Sequence, residues 1–233
     1  MYEIYVTLPS KLTYKMINIL YIHGMGGGGD SRIPSILRDA LSLRCMTSPP
    51  GPIDVVVRTY DFDPQIALSQ ISSWVEEVRP DLIVGESLGA LHALRIRGVP
   101  KILVSPALNA SLYFEALAWL TLVPGVTWLF DRIYRPKEGD RQKLHFTFRV
   151  LRKYRSHRKA ALDAGGGDLS GEKIFAFFGT RDHYRRSGIV SVRTWKKHFG
   201  DAFELYDGTH FMEEEPVREL LVNKVLDILS ISK

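Results

Sequence analysis

The 233 residues, 45% hydrophobic and 24% charged, suffice for one large α/β domain whose core needs neither disulfides nor a structural metal, and they exclude a disordered or fibrous chain. A single cysteine, Cys45, rules out an internal disulfide framework and fits a reducing cytoplasm. The net charge of +5 is drawn largely from the stretch between Arg132 and Lys159, so it makes no general case for binding nucleic acid.

In chain order, Met1 to Lys15 lacks the basic start, unbroken apolar run and small-residue cleavage site of a signal peptide, which points to a cytoplasmic protein. Short β-branched and aliphatic runs then predict strands at Ile17 to Ile22, Val55 to Tyr60, Leu82 to Gly85, Lys101 to Val104, Ile174 to Phe178 and Phe203 to Tyr206. Between them, apolar residues recurring at three and four predict helices at Ser31 to Leu43, Pro64 to Val78, Leu88 to Arg97, Val190 to His198 and Pro216 to Leu229. Such alternation makes a mainly parallel sheet of about six or seven strands with helices on both faces, in a single domain over 1–233.

The alternation breaks between Leu108 and Asp168, where no clear strand is found and Gly165-Gly166-Gly167 forms the return to the sheet. Open α/β sheets bind ligands beyond the carboxyl ends of their strands, so an insertion over 108–168, leaving from the fourth strand, would overhang such a site as a cap. Within it, Tyr113 to Phe130 is apolar for nearly the length of a membrane span, but Glu115 and Pro124-Gly125 interrupt it. This pattern predicts a broken helical cap; a membrane-associated hairpin is the alternative.

Chemistry concentrates at Gly85-Glu86-Ser87-Leu88-Gly89, directly after an apolar strand and directly before a helical pattern. A serine at a tight strand-to-helix turn is held in strained backbone geometry with its hydroxyl projecting, and flanking glycines remove side chains that would clash there. The helix N-terminus adds N–H groups and partial positive charge. A glycine-serine turn that merely ends a strand is the plainer alternative. Gly24-x-Gly26-x-x-Gly29, also between strand and helix, satisfies a dinucleotide fingerprint. The ribose-binding acid expected about 20 residues on is absent, since Thr47-Ser48-Pro49-Pro50-Gly51 stands there, and no cofactor is expected. No histidine pair with a third ligand and no cysteine cluster suggests a metal.

With Gly85-x-Ser87-x-Gly89, the strand Ile19 to Ile22 and the following His23-Gly24-Met25-Gly26-Gly27, the chain resembles the α/β-hydrolase superfamily over nearly its whole length, and more loosely its small bacterial esterases. The resemblance implies an α/β-hydrolase fold with Ser87 as nucleophile and an oxyanion hole made by the backbone N–H groups of Met25 and Leu88. His210, in Tyr206-Asp207-Gly208-Thr209-His210-Phe211 after the last strand, matches the position of the family's catalytic base, and Asp182 matches its Gly-x-x-Asp loop. Asp63, before Pro64, reads instead as a helix cap, and Asp207 as the start of a turn. Of the other histidines, His23 is expected beside the oxyanion loop, while His92, His145, His157, His183 and His198 read as core or surface residues. Glu86 departs from the histidine or tyrosine common before the nucleophile, and the family's geometry would turn it away from the attacking oxygen.

The implied chemistry is hydrolysis of a carboxylic ester or thioester of a small molecule through an acyl-enzyme. Carbon-carbon hydrolysis, perhydrolysis, acyl transfer, and a binding protein without turnover remain alternatives on the same scaffold. Tyr113, Trp119 and Trp128, in the aromatic-rich cap, are candidate substrate-binding residues; the alternative is that they only pack the insertion onto the body. The basic run from Arg149 to Lys159 would suit a phosphorylated carrier or an acidic membrane surface, or is a solvated helix face.

Overall fold

The computed structural model describes residues 5–7, 13–45, 52–136, 138–163 and 173–231. The glycine triplet 165–167 and the Thr47 to Gly51 segment lie outside these, as does the end of the insertion after Asp163. The chain opens with a small antiparallel pair, β1 (Tyr5–Thr7) and β2 (Thr13–Lys15), which the sequence reading did not anticipate. The main sheet then contains β3 (Ile17–Ile22), β4 (Ile53–Val57), β5 (Leu82–Glu86), β6 (Lys101–Val104), β7 (Ile174–Gly179) and β8 (Phe203–Tyr206). Its order is β4-β3-β5-β6-β7-β8, and every pairing is parallel.

Successive residues of a strand point to opposite faces, and here both faces are buried. Leu20, Ile22, Ile83, Leu103 and Phe178 join one core cluster. Ile19, Tyr21, Val84, Ile102 and Phe177 join the other. The second face is covered by α1 (Arg32–Cys45) and by the C-terminal helix, through Leu37, Leu41, Leu221 and Val225. That last helix starts as α9 (Glu214–Pro216), passes through a π-helical turn at Val217–Leu221 and continues as α10 (Val222–Ile231), so it begins two residues earlier than predicted and is less regular. The first face is covered by α2 (Pro64–Val78), α3 (Gly89–Ala93) and α8 (Val192–Phe199).

Local chemistry sets several of these boundaries. Asp63 caps α2 by accepting from the Gln65 N–H at 3.0 Å, Pro64 occupies the first turn where its missing N–H is harmless, and Arg79 ends the helix in a left-handed conformation at φ 48° just before Pro80. Helix α3 is shorter than the predicted Leu88 to Arg97, because its end tightens into i to i−3 bonds at Arg95 and Ile96 before Gly98, at φ 75°. Strand β4 lies two to three residues earlier than predicted, since its partner β3 runs from Ile17 to Ile22 and pairing stops at Tyr21 with Val57.

Between β6 and β7 the described residues form three helices and no strand: α4 (Ala110–Leu120), α5 (Val126–Ile133) and α6 (Phe148–Asp163). Gly125, at φ 87°, turns the chain between α4 and α5. Tyr154 of α6 is fully buried, donating to the Phe62 carbonyl at 2.7 Å and packing on Phe114, so the insertion shares the body's core. No helix among the described residues is long and apolar enough to cross a membrane.

Candidate active site

The turn after β5 places Ser87 at φ 50°, a left-handed conformation that costs a non-glycine residue about 1 to 2 kcal/mol. The surroundings hold it there: the Ser87 N–H donates to the Val104 carbonyl at 2.9 Å, and the Ser87 carbonyl accepts from the Ala107 N–H at 3.0 Å. Gly89 lets α3 start against the neighbouring strand, since a Cβ there would lie 2.3 Å from the Ile22 carbonyl oxygen.

Two other loops meet this serine. Gly179 ends β7 so close to the loop after β8 that a Cβ would lie 2.3 Å from the Thr209 carbonyl oxygen, which draws Asp182 and His210 together. The His210 Nδ1–H donates to Asp182 Oδ2 at 2.8 Å, and the Ser87 hydroxyl donates to His210 Nε2 at 2.8 Å. An ionised carboxylate only accepts, so the proton between Asp182 and His210 belongs to Nδ1, leaving Nε2 free to accept. Asp182 and His210 are both buried, and Tyr184 packs edge-on against the imidazole with ring centres 4.6 Å apart. Asp182 Oδ1 accepts the Tyr184 N–H at 2.8 Å, capping the short helix α7 (His183–Arg186).

These residues lie at the carboxyl ends of β5, β7 and β8, beside a cavity of about 570 Å³. Met25, Leu88 and Tyr113 also line it, with Phe114, Ile189 and Met212 giving it apolar walls. The N–H groups of Met25 and Leu88 have no hydrogen-bond partner among the described residues. Trp119 and Trp128 do not line the cavity; they are 60% and 64% exposed. The reason is helical phase: Ala110, Tyr113 and Phe114 of α4 face inward, which turns Trp119 onto the opposite side against Phe148.

Three residues that sequence reading did not connect to the site shape it. Gln142, buried within the insertion, accepts from the Gly26 N–H at 2.9 Å, donates its own N–H to the Gly27 carbonyl at 2.7 Å and donates its amide to the Tyr60 carbonyl at 3.2 Å. It thereby pins the loop that carries Met25; its distance of 116 residues from Gly26 left no local signal. Arg141 beside it pairs with Asp30 at 2.8 Å. Glu86 is buried, accepts from the Tyr21 hydroxyl at 2.7 Å and is among the residues lining the cavity beside Ser87. Burial pushes its carboxyl above the usual carboxylate range, an effect partly offset by the Tyr21 hydrogen bond, the nearby His210 and the Gly24 N–H.

The remaining histidines fall where expected. His23 is buried beside the Met25 loop, stacked on Tyr60 with ring centres 4.4 Å apart. His92 and His157 are buried together in the core, whereas His145 is exposed and contacts Asp131 at 2.9 Å.

Residues 18–117 match a family described as an uncharacterised protein family, UPF0227. No curated protein matches the sequence. Among solved structures, alpha/beta hydrolase domain-containing protein 10 from mouse aligns with a TM-score of 0.63 over 100% of both chains at 14% identity. The monoacylglycerol lipase of Paleococcus ferrophilus aligns with a TM-score of 0.59 over 91% of this chain and 94% of its own, at 15% identity. Est1E from Butyrivibrio proteoclasticus aligns with a TM-score of 0.57 over 99% of each chain, at 17% identity. The chain has the α/β-hydrolase fold.

Proposed function

We propose that the protein is a serine hydrolase that cleaves a carboxylic ester or thioester of a small molecule. The observation that carries this is the continuous hydrogen-bonded line from the Ser87 hydroxyl through the His210 imidazole to the Asp182 carboxylate, each link 2.8 Å long and opening on one cavity. In this reading His210 Nε2 removes the Ser87 proton as Oγ attacks the carbonyl carbon. The Met25 and Leu88 N–H groups receive the oxygen as it becomes negative, a contribution worth about 10² to 10³ in turnover per donor. His210 then protonates the departing alcohol or thiol, leaving Ser87 acylated. Water, deprotonated by the same imidazole, releases the acid and restores the hydroxyl.

Asp182 holds Nδ1 protonated and stabilises the imidazolium formed in each half-reaction. The apolar walls contributed by Phe114, Ile189 and Met212 favour an acyl chain or ring on the substrate. The insertion, contributing Ala110, Tyr113, Phe114 and Arg141 to the cavity, acts as its cap. A monoacylglycerol lipase among the structural neighbours is in keeping with an ester substrate.

A fluorophosphonate probe tests the reading directly, because it reacts only with an activated serine. Labelling of the wild-type chain that vanishes in Ser87→Ala is the expected result. A wild-type chain that takes no label would favour a binding protein on the hydrolase scaffold. Comparing acyl esters with acyl thioesters of matched chain length then fixes the substrate class.

A further inference from the structure

Helices α4 and α5 present a second surface, on the side away from the cavity. From Ala116 to Phe130 fifteen consecutive residues carry no ionisable side chain. Trp119, Leu120, Leu122, Val123, Trp128 and Leu129 of this stretch are all exposed. A contiguous run of large exposed apolar side chains on a soluble body marks a surface that something covers. Tryptophan at the tip favours a boundary between water and an apolar phase, where the ring is buried and the indole N–H stays wet.

The border of this surface is cationic. Arg132 lies over the Trp128 ring at 5.6 Å, and Arg152 lies over Phe148 at 5.6 Å, with Phe148 itself against Trp119 at 5.2 Å. The acids nearest in sequence are engaged: Glu115 pairs with Arg155 at 3.2 Å and Asp131 contacts His145 at 2.9 Å. Between α4 and α6, next to Leu112, a groove of about 520 Å³ is lined by Arg152, Arg155, Arg158 and Lys159, with Glu115 inside it as the partner of Arg155. It has the size and charge to take the phosphate of a lipid headgroup. A second copy of this chain is disfavoured as the occupant, because a two-fold contact would set one cationic border against another.

We propose that the α4–α5 hairpin is a docking surface for anionic phospholipid membranes, its uncharged tip entering the interfacial layer while Arg132, Arg152 and the α6 groove hold headgroup phosphates. The attachment is peripheral, as apolar burial and basic charge together provide on one amphipathic face. Tyr113 of the same helix lines the cavity and is itself exposed. The proposal does not depend on the hydrolase reading, and it can be measured on the Ser87→Ala chain.

The test is co-sedimentation of the full chain with phosphatidylcholine vesicles, with and without phosphatidylserine, at low and high salt. Binding is expected only with phosphatidylserine present and should weaken as salt rises. Leu122→Ser combined with Trp128→Ser, both at exposed positions, should lower the partition coefficient about tenfold or more with an unchanged circular dichroism spectrum. Arg132→Gln with Arg152→Gln should reduce the preference for phosphatidylserine. Absence of binding to the anionic vesicles, or binding indifferent to phosphatidylserine, would overturn the proposal. So would a concentration-dependent dimer that the Leu122→Ser, Trp128→Ser chain no longer forms, since the surface would then belong to a second copy.

Discussion

Asp182 Oδ2 lies 2.8 Å from His210 Nδ1 while the other oxygen of the same carboxylate caps α7 through the Tyr184 N–H, so one buried side chain fixes both a helix start and an imidazole. In Asp182→Asn the capping oxygen survives, but the amide must donate toward Nδ1, which shifts the histidine proton to Nε2 and removes the acceptor that faces Ser87. The fluorophosphonate labelling rate should fall by roughly 10⁴ while thermal unfolding changes little. A near-normal labelling rate would remove Asp182 from the proposed mechanism.

Gln142 is a side-chain tie between the insertion and the Met25 loop. Truncation to alanine leaves the part-buried Gly26 N–H and the buried Tyr60 carbonyl without these partners, a loss of about 1 to 3 kcal/mol. The Met25 amide, no longer held, should stabilise the oxyanion less well. Turnover is expected to drop by about 10 to 10², with KM nearly unchanged, and steady-state kinetics on a reactive ester separates the two.

Glu86 supplies a stability test with a definite sign. Its native pKa is raised by burial above the ordinary value of 4.5, so as pH climbs from there the folded state holds this proton longer than the unfolded chain does. Folding stability from this group therefore falls with rising pH until the native pKa is passed. Glu86→Gln removes the titration while keeping an acceptor for Tyr21. The variant's melting temperature, relative to wild type, should rise across that window and then level off; a constant difference at all pH values would contradict the burial argument.

His92 and His157 act in the opposite direction. Their rings lie 4.7 Å apart in the core, and burial, the leading cause in both, lowers His92 well below its ordinary pKa and His157 to about 4. Between pH 6.5 and about 4 the unfolded chain takes up protons that the folded chain refuses, so the stability present above pH 6.5 drains away as pH falls through this range. His157→Leu should make urea midpoints less steeply dependent on pH there. An unchanged slope would mean that other groups govern acid unfolding.

Much of the architecture could be read along the chain. Strands β3, β6 and β8 and helix α2 fall at the predicted residues, because their patterns and stops are local: a run of apolar residues ending in glycine or a polar turn, or Asp63-Pro64 at one end of α2 and Arg79-Pro80 at the other. The β1–β2 pair escaped notice because three-residue strands carry too little periodicity to register.

For the candidate site, the sequence by itself determined a serine at a glycine-flanked turn between strand and helix, and it set Asp182 and His210 in loops after later strands, since each signal lies within a few neighbouring residues. Only the tertiary structure decided what those loops meet. It brought His210 within 2.8 Å of a serine 123 positions earlier, buried Glu86 against the Tyr21 hydroxyl, and tied Gln142 to a loop 116 residues away. It also turned Trp119 and Trp128 outward, a matter of helical phase and of which faces of α4 and α5 the body claims. Side-chain direction in an insertion depends on what packs beneath it, and no pattern within the insertion encodes that partner.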